Sequence, residues 1–299
     1  FRNHNLDDMA LKATLKNGKG VLDLHSNNSL LKAHSCMEAD LSHRQGVADF
    51  SLNLNHIDLY ALHLSKDTLS ASMVMRVDGS TDFKDRHKVD GHIQAMEMVT
   101  KDSIYHPLDL SMSVLLHPDS VFAKATAGDL RLMVRSPEGY KTILKKADAT
   151  RREAIRQKEQ FYINQDTLRS MLPRVECHIY SGKNNPVQNM IRHATGFTYN
   201  ELLLDLDANP DTGVQGEGHL HSIHTGALGI DTVWWQMTQD TAGINLGGKV
   251  CNNARNKTVV FESNWFANIT PTGVETGLEY LDAQRRKGIA AGMKKDITE

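Results

Sequence analysis

Apolar and polar residues alternate with a period of two along most of this chain, and this pattern limits the folds open to it. In residues 108–116, leucine, methionine and valine hold one parity, while aspartate and serine hold most of the other. A β-strand with this sequence has one apolar and one polar face, whereas a helix would scatter the apolar residues around its axis. The pattern recurs in about 18 segments, so the sequence predicts a mainly β fold.

Composition is consistent with sheets that have one sheltered face. Of the 299 residues 40% are apolar and 6% aromatic, which suits strands that are wet on one side. The even spread of the alternation favours one extended body over separate domains. A net charge of -2 and a pI near 6.8 lack the basic signature of a nucleic-acid binder, so no nucleic-acid partner is expected.

The cysteines and the first residue set the remaining broad expectations. Cys36, Cys177 and Cys251 are odd in number, lie far apart and form no C-x-x-C pair, so they indicate neither a disulfide framework nor a zinc knuckle. The chain starts at Phe1 and contains no run of 18 apolar residues. We expect an excised or processed piece that lacks a membrane anchor.

The period changes once, in the middle of the chain. About ten antiparallel strands are predicted from Asp8 to Arg135, joined by short turns such as Asn17-Gly18. Strands resume at Phe197. We therefore predict an N-terminal β-groove segment over residues 1–135, a helical insert with one strand over 136–196, and a C-terminal β-groove segment over 197–299 that continues the first.

Three helices are predicted in the insert. Ser136-Pro137-Glu138 has the hydroxyl cap, early proline and acid of a helix start, and about 20 helical residues should follow. A short helix is predicted over Asp166 to Leu172, and a third from Asn185-Pro186 to Gly196, with a strand from Arg174 to Tyr180 between them. The first helix carries a broken apolar stripe, which we expect to pack against the open apolar face of the sheet. The stripe consists of Tyr140, Leu144, Ala147, Ala154, Phe161 and Tyr162.

Three histidines resemble part of a metal cluster. His219 and His221 lie two apart and share one face of a strand, whereas His224 falls on the other. No acid or cysteine follows at matching spacing along the strand, so polar outer-face histidines are favoured over a metal site.

A calcium loop is weighed and set aside in the same way. Asp205, Asp207, Asn209 and Asp211 alternate as calcium ligands do, but Pro210 stands where such a loop needs glycine. The aspartates are better explained as the wet side of a strand that turns at Asn209-Pro210.

Motifs for catalysis are absent from the sequence. It contains no G-x-S-x-G, H-E-x-x-H, phosphate loop or dinucleotide fingerprint. A glycosidase would need only two of the 36 acids, but no pair stands out. The many lysines and arginines of the first predicted helix suit anionic headgroups, although a solvated helix face explains them more simply. We expect no catalytic residues, no metal and no cofactor.

The size of the predicted sheet leads to a functional hypothesis. In one sheet, about 18 strands at about 4.8 Å spacing would run for about 85 Å, so the sheet must curl. We predict a long, curled antiparallel sheet, taco-like, whose inner face forms a trough for acyl chains. The predicted lining residues are Leu52, Leu54, Met73, Met75, Leu108, Leu110, Met112, Val114, Leu116, Leu130, Leu132, Leu204, Leu206, Trp235, Met237, Leu246 and Phe261.

Two other interpretations remain open. The interior would be a dry core if the sheet closed as a solenoid or if the helices covered it, which would make the chain a structural scaffold or adhesin-like repeat. A carbohydrate-active β-solenoid enzyme would show exposed aromatics and paired acids on its outer strands. Aliphatic and methionine side chains fit a core or a lipid conduit better than a site for a polar small molecule.

Several segments resemble repeats of a known family. The chain resembles repeats of the AsmA-like superfamily, specifically of the TamB translocation and assembly module proteins, in four segments: Asn55-His56-Ile57-Asp58-Leu59, Leu62-His63-Leu64-Ser65-Lys66-Asp67-Thr68-Leu69, Lys88-Val89-Asp90-Gly91 and Ala127-Gly128-Asp129-Leu130. Gly182-Lys183-Asn184-Asn185-Pro186 and Ala194-Thr195-Gly196-Phe197 resemble the Bacteroidetes-type version with a helical insert. The resemblance is a diffuse pattern over most of the chain.

The resemblance implies a location and a role. It implies a periplasmic, curled β-groove protein of the Gram-negative cell envelope that moves phospholipid or helps to assemble proteins at the outer membrane. The inner-membrane anchor that the resemblance implies would lie outside this piece. Phospholipid acyl chains are then the expected partners, together with an outer-membrane assembly protein reached through parts outside this piece. The resemblance implies no catalytic residue.

Overall fold

A computed structural model describes residues 7–226, 228–252 and 261–296. Among these described residues the chain is mainly β, with 61% of them in strands and with 3 short helices. Its 18 strands form an antiparallel sheet that is not closed. The structure thus confirms the fold class that the alternation predicts.

The chain divides into two compact units. The first unit contains the described part of Phe1–His117, with Phe122–Gly128 and Asn184–Pro186. The second contains Pro118–Val121, Asp129–Lys183 and the described part of Val187–Glu299. The three-segment division drawn from the sequence stays a prediction.

The first unit is a series of strands in chain order. Each strand from β1 to β6 pairs with the next, and β7 and β8 both pair with β6. The hairpin between the first two strands turns at Asn17 and Gly18, whose φ values of 51° and 77° are those of a tight hairpin turn. The strands are β1 (Met9–Lys16), β2 (Lys19–Asn28), β3 (Leu31–Asp40), β4 (Gly46–Asp58), β5 (Leu69–Thr81), β6 (His87–Thr100), β7 (Ile104–Tyr105), β8 (Leu110–His117) and β9 (Ser120–Ala127).

The strand predicted from Leu108 begins later than the alternation suggests. β8 starts at Leu110, and Leu108 lies before it, 47% exposed. Pro107 has no backbone N–H to donate and restricts the residue before it, so the chain leaves the ladder between β7 and β8. Leu108 is therefore not a strand residue, and its predicted place in the strand is wrong.

Two β-bulges keep the apolar residues of the first unit on one side. β4 has one residue more than both of its neighbours at Asn55, between Leu54 and Ile57. β6 has one residue more than β5 near Ala95, which adopts φ 49°. Leu54 and Ile57 are an odd number of residues apart, and the extra residue returns them to the same face.

The second unit has the same plan. Each strand from β10 to β17 pairs with the next in sequence, and every pair is antiparallel. The strands are β10 (Leu130–Ser136), β11 (Val175–Ser181), β12 (Glu201–Asn209), β13 (Gly213–Thr225), β14 (Leu228–Gln239), β15 (Ile244–Asn252), β16 (Glu262–Ile269), β17 (Gly273–Leu281) and β18 (Lys287–Asp296).

The three helices are α1 (Tyr140–Glu159), α2 (Gln165–Ser170) and α3 (Pro186–Thr195), all inside the predicted insert. The first begins at Tyr140 with Gly139 as its N-cap, so the predicted start at Ser136 is wrong. The Ser136 hydroxyl instead donates to the Arg174 carbonyl at 2.5 Å, and it accepts from the Glu138 N–H at 3.0 Å. The Ser136 hydroxyl therefore stabilises a turn and binds Arg174, the residue before β11, so it does not cap the helix.

The apolar stripe of α1 is not packed as predicted. Leu144 is 65% exposed and Phe161, just beyond the helix, is 61% exposed. The prediction that this stripe packs against the sheet is therefore wrong. The stripe is broken by many charged residues, and ion pairs such as Arg156–Glu153 and Arg152–Asp148 run along the wet helix surface.

The short helix α2 packs more closely than α1. Leu168 and Leu172 are buried. The side-chain oxygen of Gln165 accepts a 2.8 Å hydrogen bond from the side-chain amide of Gln239, at the end of β14. Arg169 donates to the Asp211 carbonyl in the β12–β13 turn at 2.5 Å. These contacts fix α2 at one end of the strands of the second unit.

Little of the molecule forms a sealed core. In residues 7–226, 228–252 and 261–296, the buried apolar side chains are Ala33, Leu54, Ala127, Leu168, Leu172, Tyr199 and Ile223. In those same ranges, no helix combines the length and the apolar character needed to cross a bilayer.

Candidate functional site

An apolar face runs across the paired strands of the first unit. Register partners in an antiparallel pair project to the same side, so the pairing shows which residues share a face. From Met112 the register leads to Gly91 on β6 and from there to Val77 on β5. The apolar face of the first unit includes Met9, Leu11, Leu15, Leu22, Leu24, Ala33, Met37, Phe50, Leu52, Leu54, Met73, Met75, Val77, Val89, Ile93, Leu110, Met112, Val114 and Leu116.

This apolar face is open to solvent mainly on its first three strands, whereas its side chains on β4 to β8 are half-buried or buried. Leu11 is 63% exposed and Leu15 is 79% exposed. Leu54 is buried, and so is its register partner Ala33. Contiguous exposed apolar surface of this kind is uncommon on soluble proteins and marks surfaces that bind other molecules.

The structure brings together most of the lining residues predicted in the first unit. The eight predicted on β4, β5 and β8 lie on one face, while Leu108 precedes its strand. Residues of the first three strands share that face but were missing from the prediction, although their alternation is equally regular. The eight are Leu52, Leu54, Met73, Met75, Leu110, Met112, Val114 and Leu116.

The second unit has an apolar face of its own. From Leu132 the register leads to Ile179 and Leu204, and from Leu206 through Gly216 to Met237. The predicted residues on this face are Leu130, Leu132, Leu204, Leu206, Trp235, Met237 and Leu246. Residues that the prediction missed are Val233, Val250, Trp265, Leu278, Ile289 and Met293.

Phe261, the last of the predicted lining residues, lies just before β16. Its ring stacks on Tyr280, with 5.8 Å between the ring centroids and 27° between the planes. Tyr280 pairs with Ser263, two residues beyond Phe261. The stacking therefore places Phe261 beside the apolar face, at the end of β16.

Two tryptophans of the second unit lie over glycines of a neighbouring strand. Trp235 pairs with Gly218 on β13, and Trp265 pairs with Gly248 on β15. A Cβ added at Gly218 would come within 2.5 Å of the Trp235 indole nitrogen, and one added at Gly248 would overlap the Trp265 ring. Each glycine leaves the space that the flat indole fills.

The opposite face of the second unit is rich in titratable groups. His178 Nδ1 lies 2.5 Å from a carboxylate oxygen of Asp205, and Arg135 donates to Glu176. Asp207 is the register partner of Glu176, so two carboxylates stand side by side. Burial, and then the charge of Glu176, raise the pKa of Asp207.

On this polar face, Glu201, His219 and His221 form a compact group. One ligand atom from each lies within 4.8 Å of the others, and among the described residues this is the cluster that could hold a metal ion. Glu201 lies on β12, and spacing along the histidine strand β13 does not predict a ligand that comes from a neighbouring strand. His224 is not part of the group and pairs with Gly229 instead.

The alternating aspartates of the suspected calcium loop do not converge. Asp205 and Asp207 are strand residues of β12, which ends at Asn209 as the strand-and-turn interpretation predicts. Asn209 and Asp211 both accept hydrogen bonds from Arg174, at 3.0 and 2.8 Å. The side-chain oxygens of Asn209 and Asp211 thus bind the Arg174 guanidinium.

Comparisons of the chain with protein-family models, with curated proteins and with solved structures found no match.

Proposed function

We propose that this chain is a non-catalytic segment of a protein that carries phospholipid acyl chains on the apolar faces of its sheet. The observation that supports the proposal is the continuity of each apolar face from strand to strand, combined with its exposure. The most exposed side chains of these faces lie on the first and last strands, Leu11 and Leu15 on β1 and Ile289 and Met293 on β18, and they are costly to leave in water unless another apolar molecule covers them.

The chemistry of the faces favours acyl chains as the covering molecule. Leucine, valine and methionine predominate on them, and methionine adapts its shape to flexible apolar ligands. A site for a polar small molecule needs several converging polar groups. The apolar face of the first unit contains few polar side chains, and Ser26 and Asn28 are buried near the end of β2. Ser35 is half-buried between Leu24 and Leu52, and Thr81 and His87 lie opposite each other at the end of the β5–β6 pair.

The energetics suit movement of lipid rather than storage. Burying one methylene contributes about 0.8 kcal/mol, and a bilayer provides the same contribution. Transfer of an acyl chain between a bilayer and an apolar strand face is therefore close to balanced. A carrier needs this balance because a deep binding minimum would trap the lipid.

A dry scaffold is the competing function. It would require the apolar side chains to be sealed against each other, and the helix that was predicted to cover them leaves Leu144 and Phe161 exposed. The few buried apolar residues favour a wet or lipid-covered face over a closed core.

The resemblance to TamB proteins supports the rest of the proposal. On this basis the chain works in the periplasm of a Gram-negative envelope, in phospholipid transport or in the assembly of outer-membrane proteins. Its partners are then phospholipid and an outer-membrane assembly protein.

The proposal is tested by photo-crosslinking at Met112. A photoreactive amino acid replaces Met112, and the purified chain is mixed with vesicles of phosphatidylethanolamine and phosphatidylglycerol. Because Met112 lies on the apolar face, mass spectrometry should find phospholipid adducts on this residue. The matched control is Ser113, the next residue, which pairs with Asp90 on the opposite face and should give few adducts.

A second measurement uses transfer of a fluorescent phospholipid between two vesicle populations. Met112→Ser should slow transfer, because a hydroxyl interrupts the apolar face, whereas Ser113→Ala should leave the rate unchanged. Equal crosslinking at Met112 and Ser113, or adducts with protein alone, would count against lipid carriage and favour the scaffold.

A further inference from the structure

The polar face of the second unit contains two imidazoles and one carboxylate at the start of the β12–β13 hairpin. Glu201 is the register partner of His221, and His219 lies two residues before His221 on the same strand face. His219 donates from Nε2 to the Glu201 carboxylate over 2.7 Å, since a carboxylate can only accept. The two imidazole rings have centroids 4.5 Å apart and are tilted by 45°.

We propose that Glu201, His219 and His221 bind a divalent transition-metal ion, Zn²⁺ by the chemistry of the ligands, on the polar face of the second unit. The site is separate from the apolar faces and does not depend on the proposed lipid function. It links β12 to β13 through side chains, in addition to their backbone hydrogen bonds.

Distances in the group are somewhat longer than those that a bound ion requires. Zn²⁺ binds nitrogen and oxygen at about 2.0–2.2 Å in tetrahedral geometry, so two ligand atoms on one ion lie about 3.4 Å apart. The three ligand atoms lie within 4.8 Å of one another, so side-chain rotations that bring the most widely spaced pair about 1 Å closer would close the site.

A neighbouring strand orients one of the ligands. Thr232 on β14 is the other register partner of His221, and its hydroxyl lies 3.0 Å from Nδ1 of that imidazole. This contact occupies Nδ1 and leaves Nε2 for the metal. Metal-binding histidines commonly have such a partner on the second ring nitrogen, and it fixes the orientation of the ring.

The ligand set selects the class of ion. Ca²⁺ and Mg²⁺ prefer sites made of oxygen ligands, so two imidazoles disfavour them. Two histidines and one glutamate match the ligands of several zinc sites that keep a position open for water. Cys251 lies on β15 opposite Thr232, and its thiol is not one of the three ligand atoms that converge.

The first unit contains a matched control of similar composition. His34 pairs across the strands with His25 and contacts Asp23 at 3.0 Å, so two imidazoles and a carboxylate are again neighbours. Here the rings are edge-on, with centroids 6.0 Å apart. The site on β12 and β13 therefore differs in the convergence of its ligand atoms and not in the residue types.

The experiment is titration of the purified full chain with Zn²⁺. Calorimetry measures the affinity and the number of ions bound, and the thermal unfolding temperature is measured with and without the metal. One ion per chain is expected to bind and to raise that temperature, because the metal binds the folded hairpin. His219→Ala and His221→Ala should abolish both effects. Thr232→Val should weaken binding about 10- to 100-fold, as loss of an orienting partner does. His34→Ala and Cys251→Ser should leave the affinity unchanged.

Substitution with Co²⁺ provides a readout that a merely structural role would not give. Coordinated Co²⁺ absorbs in the visible range, and the band should be lost in Glu201→Gln, a variant that conserves size and whose fold is checked by circular dichroism. Addition of Mg²⁺ should not displace the band. Absence of stoichiometric Zn²⁺ binding to the wild-type chain would overturn the proposal, as would binding that survives His219→Ala but is lost in His34→Ala.

Discussion

Glu201 and His219 are joined by a 2.7 Å hydrogen bond although neither is the other's partner in the strand register. The Glu201 carboxylate reaches diagonally past His221, which stands directly opposite, so it lies close to both imidazoles. Diagonal neighbours in a sheet are within reach of long side chains. The side chains of His219 and Glu201 are 23% and 38% exposed, so they are accessible to a dissolved ion.

Replacing this carboxylate should affect metal binding far more than folding. Without metal, Glu201→Gln should change the free energy of unfolding by less than about 1 kcal/mol, because partly exposed ion pairs contribute little. Chemical denaturation of the metal-free chain measures this. A much larger loss would mean that the pair is a structural element of the hairpin.

Contact between Trp265 and Gly248 predicts a local packing defect. Gly248→Ala places a methyl group where the indole lies and should lower the free energy of unfolding by about 1–3 kcal/mol. Gly247→Ala is the matched control, because nothing lies within 4 Å of a Cβ there. Its effect should be neutral or stabilising by up to about 1 kcal/mol. Equal effects of the two substitutions in denaturant unfolding would contradict the proposed packing.

The raised pKa of Asp207 predicts a stabilising substitution. Burial and Glu176 disfavour the charged form in the folded state, so the contribution of Asp207 to stability is present below its ordinary pKa and is lost as pH rises through the raised value. Asp207→Asn should therefore stabilise the chain near pH 7, by about 0.5 kcal/mol or less because the group is partly solvated. The gain should vanish below about pH 3.9, the ordinary pKa of aspartate.

Asp205→Asn provides the opposite expectation on the same strand. Asp205 contacts His178 and has a favourable partner, so its substitution should destabilise the chain by up to about 1 kcal/mol at neutral pH. Unfolding midpoints of the two variants across the pH range compare them directly. Stabilisation by both would point to the general negative charge of the face as the cause.

Asn164 caps α2 and should contribute to the order at the strand ends. Its side-chain oxygen accepts from the Thr167 N–H at 2.9 Å. Asn164→Ala should cost about 1 kcal/mol and speed amide exchange at Thr167, whereas Asn164→Asp preserves the acceptor and should cost little. Unchanged exchange at Thr167 would show that packing of Leu168 alone holds the helix.

The open apolar face predicts unequal costs for two leucines on it. Leu54 is buried, so Leu54→Ala should lower the free energy of unfolding by about 2–5 kcal/mol. Leu11 is largely exposed, and Leu11→Ala should change it by less than about 0.5 kcal/mol. Denaturation of the purified variants without lipid measures both. A large cost at Leu11 would indicate that another surface covers the face.

Most of the architecture follows from local sequence rules. Alternation in Leu110, Met112 and Val114 sets the strand and its faces, and Asn17-Gly18 supplies a turn whose backbone fits a hairpin. The third helix begins at Pro186 and ends before Gly196, as its flanking residues predict. These signals are local, since each depends on residues a few positions apart.

Features that depend on distant partners were missed. Ser136 resembles a helix cap, but its hydroxyl is used by Arg174, which is 38 residues away in the chain. Glu201 joins the histidines because the hairpin turn near Asp211 is equally distant from Glu201 and His221. Pairing outward from the predicted turn at Asn209-Pro210 places Glu201 opposite Gly218, because the observed hairpin is centred at Asp211 and its register differs by three residues.

The bulges at Asn55 and Ala95 affect how such a sheet can vary in length. In a regular strand, one inserted or deleted residue moves every later side chain to the opposite face of the sheet. At each bulge the unpaired residue absorbs the shift, and the later residues of β4 and β6 stay in phase with their neighbours. Single-residue changes in length are thus tolerated at these two points, where the error is confined to one position and the apolar side continues uninterrupted.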